Sequence, residues 1–155
     1  DYVDPDGFME IDLQPDDGVI HDITTATSYS DSILWISTYF GMSRYDGKNW
    51  KGYFDHDSGL ASNFINFLRA EGKYVFVCSD NGLSCTDGTN WVTYKRDDNS
   101  INGRAIIKNV NTLVREVQLS PSISHNFTIG VDAEDEFLWV ATSKGVCRGE
   151  LMNKY

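Results

Sequence analysis

Cysteine is scarce in this 155-residue chain and follows no pattern. Cys78, Cys85 and Cys147 are an odd set whose spacings fit neither a zinc site nor a CxxC pair. They are read as small core residues, with Cys78 and Cys85 on neighbouring strands of one hairpin. Basic residues are also few: 13 Lys and Arg stand against 23 Asp and Glu, and the net charge of -10 repels phosphate backbones and anionic lipid. Nucleic acid and membrane surfaces are therefore excluded as expected partners. No apolar run approaches the roughly 18 residues of a membrane span, and the N-terminus lacks the basic start and apolar segment of a signal peptide. Helical patterning is missing too, since no segment before Asn99 holds an i, i+3, i+4, i+7 apolar stripe. What is present is 41% hydrophobic and 13% aromatic content, enough for a folded core.

The chain repeats itself at an offset of 41. Gly41 falls on Gly82, Asp46 on Asp87, Gly47 on Gly88, Asn49 on Asn90, Trp50 on Trp91 and Tyr53 on Tyr94, six identities over 41–53. Average composition would give roughly one. Backwards, Asp16, Asp57 and Asp98 keep the spacing, and Val19, Leu60 and Ile101 are expected to share one apolar position. Forwards the offset grows to 63, placing Phe76 on Trp139, Ser79 on Thr142 and Gly82 on Gly145. About 22 residues are inserted before the third copy.

Each copy reads as short strands. Ile33 to Thr38 is rich in β-branched and aromatic residues, Met42 to Tyr45 returns, and Trp50 to Phe54 follows the Asp46-Gly47 turn. Asp-Gly is expected to form a type I′ hairpin turn, with positive φ at both central residues. With Val19 to Ala26 or Leu60 to Ala70 as the inner strand, the unit is a four-stranded β-propeller blade, so the fold class is all-β. The expected organisation is one propeller region over 1–155. Residues 8–18 form the outer strand of a shared blade, 19–59 the first blade, 60–101 the second, and 102–155 the third with an insertion at 105–126.

Three blades are fewer than the four to eight of typical propellers. Starting at Asp1, the chain is expected to be a fragment of a longer propeller, to close its ring with further copies of itself, or to gain strands from the insertion. That insertion holds Ile106, Val110, Leu113 and Val117 and is too apolar for a plain exposed loop, so these four residues are candidates for an interaction surface. It reads first as a hairpin turning at Asn109 to Thr112, with a helix over 112–119 as the alternative.

Ile33-Leu34-Trp35-Ile36-Ser37-Thr38, Gly41-Met42-Ser43-Arg44-Tyr45-Asp46-Gly47, and then Trp50, Tyr53 and Ser58-Gly59-Leu60-Ala61-Ser62-Asn63 resemble the repeat of two-component-regulator-type propellers. That pattern reads approximately LW-(I/V)-G-T, G-L-x-R-(Y/F)-D-G, aromatic positions and D-G-L-P-S-N. The second copy loses the Trp and Arg, and the third loses the Asp-Gly turn. The resemblance implies a periplasmic or extracellular sensing or interaction domain, many such domains responding to glycans, and it carries over no catalytic residue and no cofactor. Fold-level likeness is analogy, since propellers host many functions.

One face of such a ring carries the loops that join outer to inner strands and the two middle strands of each blade. Tyr39, Phe40, Asp55, His56, Asp57, Asp80 and Lys144 fall there and form the candidate ligand site. Rings stack on apolar sugar faces and carboxylates accept hydrogen bonds, so a carbohydrate or a protein is the expected partner. Against this, Asp16, Asp57 and Asp98 share a repeat position, as turn-forming aspartates would. Tyr39, Phe40 and His56 break the repeat and so mark function better. Asp55 to Gly59 lacks the ligand run of a calcium loop, and no metal is expected. A propeller lyase of the streptogramin-lyase type would need a His with an acidic partner, and His21, His56 and His125 are read as sharing no repeat position. A structural subunit that docks into an assembly, or onto copies of itself, is the other rival. Trp35, Trp50, Trp91 and Trp139 recur with the repeat and are expected to pack between blades.

Overall fold

The computed structural model describes residues 2–3, 10–16, 18–109 and 114–151, and every strand or helix among them is a β-strand. A short ladder pairs β1 (Tyr2–Val3) with β2 (Glu10–Ile11). The first sheet is the antiparallel meander of β3 (Thr24–Ser30), β4 (Ile33–Thr38), β5 (Gly41–Tyr45) and β6 (Trp50–Tyr53). The second begins the same way with β7 (Ile65–Glu71), β8 (Tyr74–Ser79), β9 (Gly82–Thr86) and β10 (Trp91–Arg96). It continues into β11 (Gly103–Lys108) and β12 (Arg115–Leu119). The third holds β13 (Thr128–Glu134), β14 (Phe137–Thr142) and β15 (Gly145–Glu150). The sheets stack face to face in chain order, β3 and β4 against β7, then β13 against β7 and β8. The chain is all-β, built of antiparallel blades.

The turns differ from their expected chemistry. The two-residue hairpin is Asp31-Ser32, with φ of 53° and 64° between the paired residues Ser30 and Ile33. At Asp46-Gly47 only the glycine has positive φ, 96°, and the loop runs over four residues. The Asp46 carboxylate accepts hydrogen bonds from the Asn49 and Lys48 N–H groups at 2.7 and 2.8 Å. Those bonds hold its pKa below the usual aspartate value. Asp87 repeats the arrangement with Thr89 and Asn90.

Inner strands start later than expected, at Thr24 and Ile65. The residues before them instead cross the outer strands of their own sheet. Gly18 and Gly59 lie so close to Trp50 and Trp91 that a Cβ would come within 2.2 Å of either side chain. Two residues on, the Ile20 and Ala61 N–H groups donate to the Ser43 and Ser84 hydroxyls at 3.2 and 3.0 Å. Leu60 is buried in this crossing, and its counterpart at offset 63, Ile123, is buried as well, whereas Ile101 is exposed. Ile101 is thus not the third member of the apolar position. The segment between them adds β11 and β12 to the outer edge of the second sheet, so it belongs to that sheet and not to the third. Residues 115–119 form a strand, not a helix.

Two seams make the core. Trp35, Met42 and Tyr53 of the first sheet pack against Leu68, Val75, Val77 and Trp91 of the second. Phe76, Cys78 and Leu83 on the far side of the second sheet pack against Ile123, Val131, Leu138 and Val140 of the third. Each such side chain contributes about 1.5–3 kcal/mol on burial. Cys78 and Cys85 face this second seam, where burial pushes both thiols up to about 12, and they pack as hydrophobes. Trp35 and Trp91 are buried between sheets, Trp50 is half-buried on Tyr45, and Trp139 is exposed, contrary to the expectation that all four pack between blades.

Candidate functional site

Backbone bonds fix the geometry of one rim. In each sheet the turn between the two middle strands is tied to the residue just before the inner strand. Tyr39 N–H donates to the Ile23 carbonyl at 2.9 Å, Asp80 to Phe64 at 3.0 Å, and Ser143 to Phe127 at 3.0 Å. Further bonds cross to the next sheet, from Gly41 N–H to the Asn63 carbonyl at 2.8 Å and from Gly82 to Asn126 at 2.6 Å. The rim is therefore held at both seams, and the side chains standing on it are set by rigid backbone.

The side chains on this rim are mostly exposed apolar and aromatic groups. Ile23, Tyr39, Phe40, Phe64 and Phe127 are all exposed. Tyr39 meets Phe64 edge-on at 6.1 Å, and Phe40 reaches Phe54 at 5.9 Å and His21 at 6.4 Å. Phe54 in turn stacks on His56 at 5.5 Å. Phe40 and His56 are thus joined through Phe54 in one group of rings, and Tyr39 forms a second with Phe64 across the first seam. Ile23, Phe64 and Phe127 were not recognised in the sequence, although offsets of 41 and 63 put them at one repeat position.

The carboxylates play mixed parts. Asp57 accepts from the Phe54 N–H at 2.9 Å and lies 3.8 Å from His56 Nε2, so it shapes the loop under the ring stack. Asp55 exchanges two bonds with the Asn63 side chain, at 2.8 and 3.1 Å. Asp80 accepts from Asn66 Nδ2 at 3.0 Å. Lys144 is exposed in the corresponding turn of the third sheet, and among the described residues no contact of its side chain joins it to either group of rings.

The histidines do share a repeat position. His21, Ser62 and His125 are spaced by 41 and 63, and each takes the N–H two residues on: His21 Nδ1 from Ile23, Ser62 Oγ from Phe64, and His125 Nδ1 from Phe127, at 3.0–3.1 Å. His125 Nδ1 also lies 2.9 Å from Ser143 Oγ. These rings hold the turn that presents the exposed apolar residue. The closest His–carboxylate approach among the described residues, His56 to Asp57, is exposed on both sides.

Of the four apolar insertion residues, Ile106 is half-buried on β11 and Val117 is exposed on β12. Val110 and Leu113 lie outside the described residues. No group of three metal-ligating side chains occurs among the described residues, and no helix there is long and apolar enough to cross a membrane.

An all-β stack of antiparallel blades with an aromatic rim is the class of structure defined here. Two solved structures align with it, both of the extracellular domain of BT4673 from B. thetaiotaomicron, described in one case as a hybrid two component system and in the other as a one component system. Each alignment has 12% identity and a TM-score of 0.42, covering 88% of this chain and 28% of the other. The chain thus spans about a quarter of the length of the structures it matches. No family model matches the sequence, and no curated protein does.

Proposed function

We propose that this chain is a non-catalytic, extracytoplasmic binding module, and that its ligand, a carbohydrate, docks on the rim formed by Tyr39, Phe40, Phe64 and His56. The observation that carries this reading is the cluster of exposed rings on backbone fixed by cross-seam hydrogen bonds. Exposed aromatic surface is costly in water, and it stacks well on the apolar face of a pyranose. The Asp55 and Asp80 carboxylates, each accepting one bond from an asparagine amide, have further lone pairs for sugar hydroxyls. The histidine ring nitrogens that face the backbone serve the turns, which favours binding over acid–base chemistry. Location outside the cytoplasm follows from the resemblance of the repeat.

A glycan array followed by calorimetry on the hits tests the reading. Tyr39→Ala, Phe40→Ala and Phe64→Ala should each weaken binding by about tenfold, near 1.4 kcal/mol. Lys144→Ala should leave it unchanged. Affinity that survives all three ring deletions, or turnover of a hit that is lost in His56→Ala, would overturn it.

A further inference from the structure

Three turns on the rim are built alike, and two of them use a side chain that titrates. His21, Ser62 and His125 are half-buried at one repeat position, and each accepts the N–H two residues on, from Ile23, Phe64 and Phe127. That following residue carries the exposed apolar side chain of its sheet. Its carbonyl in turn accepts the N–H of the turn between the middle strands, from Tyr39, Asp80 and Ser143. One side-chain bond therefore steadies the residue on which both the apolar group and the tie to the neighbouring turn depend.

A serine hydroxyl accepts such a bond at any pH, whereas an imidazole accepts it only while Nδ1 is unprotonated and the proton sits on Nε2. An imidazolium has two N–H donors and no acceptor, and histidines change charge between about pH 5 and 8. The bonds to Ile23 and Phe127 are therefore present above that range and lost as pH falls through it, while the bond to Phe64 stays. His125 also has a partner for the added proton. Ser143 Oγ lies 2.9 Å from its Nδ1, donating to the neutral ring and accepting from the charged one. Beside His21 the charged neighbour in the chain is Asp22, and the turn that packs on its ring, Tyr39-Phe40, carries no charge. Around His125 the charged groups are Arg96, whose guanidinium donates to the Ser124 carbonyl, and Asp80 and Lys144, in the turns bonded to Asn126 and Phe127. Among the described residues no carboxylate comes within ion-pair distance of either ring to hold it once charged.

We infer that the rim carries a pH-operated latch: His21 and His125 hold the turns of the first and third sheets at neutral pH and release them in mild acid, while Ser62 keeps the middle turn closed throughout. The consequence for binding rests on the reading of this rim as a carbohydrate site. At neutral pH Ile23, Phe64 and Phe127 stand on turns held in one way, and in acid Phe64 alone keeps its support, so affinity falls. His56 does not take part in the release. Its Nε2 lies 3.8 Å from Asp57, and a charge on the ring strengthens that approach.

Nuclear magnetic resonance of the full chain from about pH 8 to about pH 5.5, a window in which carboxylates stay largely ionised, tests the latch without any ligand. The Ile23 and Phe127 amides should shift together with the ring signals of His21 and His125. Their protection against solvent exchange, corrected for the intrinsic rate, should fall about fivefold, and the Phe64 amide should do neither. His21→Ser and His125→Ser should keep the protection and abolish its pH dependence, each at its own turn, whereas alanine at either position should lose the protection at both ends of the window. A glycan array probed at the same two pH values reads the consequence. Its signals should fall about fivefold in acid for the wild type and stay level for the double serine variant, which retains His56. Ile23 and Phe127 amides that ignore the ring titration, serine variants that still titrate, or array signals equal at the two pH values would each overturn the inference. An array empty at both overturns the carbohydrate reading alone, and the amide titration then decides the latch by itself.

Discussion

The second and third sheets share a repeat and differ in their neighbours. The second is covered on both sides, with Leu68, Val75 and Val77 turned to the first seam and Phe76, Cys78 and Leu83 to the second. The third is covered on its front, through Val131, Leu138 and Val140, while Trp139 and Val146 stand open behind. The lesson is that a blade's pattern fixes which way its side chains point, but its stability comes from whatever lies against them. Truncation at one repeat position breaks the comparison most sharply. Met42→Ala and Leu83→Ala each open a cavity in a closed seam and should cost about 2–5 kcal/mol. Val146→Ala should cost the monomer no more than about 0.5 kcal/mol. Urea unfolding of the three variants at low protein concentration measures the difference, and equal losses would show that the third sheet's back is buried in the monomer.

A polar contact divides the ends in the same way, with a smaller effect. Thr128 is buried in the second seam, where its hydroxyl oxygen accepts the Ser79 N–H at 2.8 Å and its hydroxyl hydrogen reaches the Ser79 or Gly82 carbonyl, at 3.1 and 3.0 Å. Thr128→Val keeps the shape but strands a buried N–H, and should cost about 1–3 kcal/mol. Thr24, at the equivalent position of the first sheet, is exposed, and among the described residues no sheet lies in front of it. Thr24→Val should therefore fall within about 0.5 kcal/mol of the wild type. Hydrogen exchange at the Ser79 amide should accelerate in the first variant alone.

The middle strands of the first two sheets were legible in the sequence because most of their residues are buried on both faces and cannot drift. Ile33 to Thr38 is β4 as read, and Gly41 and Gly82 sit at positive φ where their strands begin. The inner strands were misplaced by about five residues because the residues before them cross the outer strands, where Gly18 and Gly59 lie against Trp50 and Trp91 and Leu60 is buried with Trp91 in the core. Ile101 was misassigned because an offset of 41 from Leu60 stops just short of β11 and β12, and the true counterpart, Ile123, lies beyond these two added strands. The candidate rim was half legible. Tyr39, Phe40 and His56 stood out by breaking the repeat, and Phe64 and Phe127 stayed hidden by obeying it. Repetition by itself does not mark scaffold, since an exposed residue can repeat too. The described part of the expected outer strand, Glu10–Ile11, pairs with Tyr2–Val3 and with neither large sheet edge.

The hairpin between the first two strands of each sheet gives the finest comparison. Its first residue has positive φ in all three sheets: 53° at Asp31, 57° at Gly72 and 47° at Asp135. Ser32 adds a second such residue in the first sheet alone, at 64°. Serine has a Cβ that crowds the backbone there, and glycine does not. Ser32→Gly should then raise stability by about 0.5–1 kcal/mol, the relief of the turn exceeding the added freedom of the unfolded chain. Gly72→Ala, the reverse exchange at one of these turns, should lower stability by about 1 kcal/mol. Thermal unfolding of both variants reads the two signs at once. If Ser32→Gly lowers the melting temperature instead, the Ser32 side chain contributes more to the hairpin than its backbone strain costs.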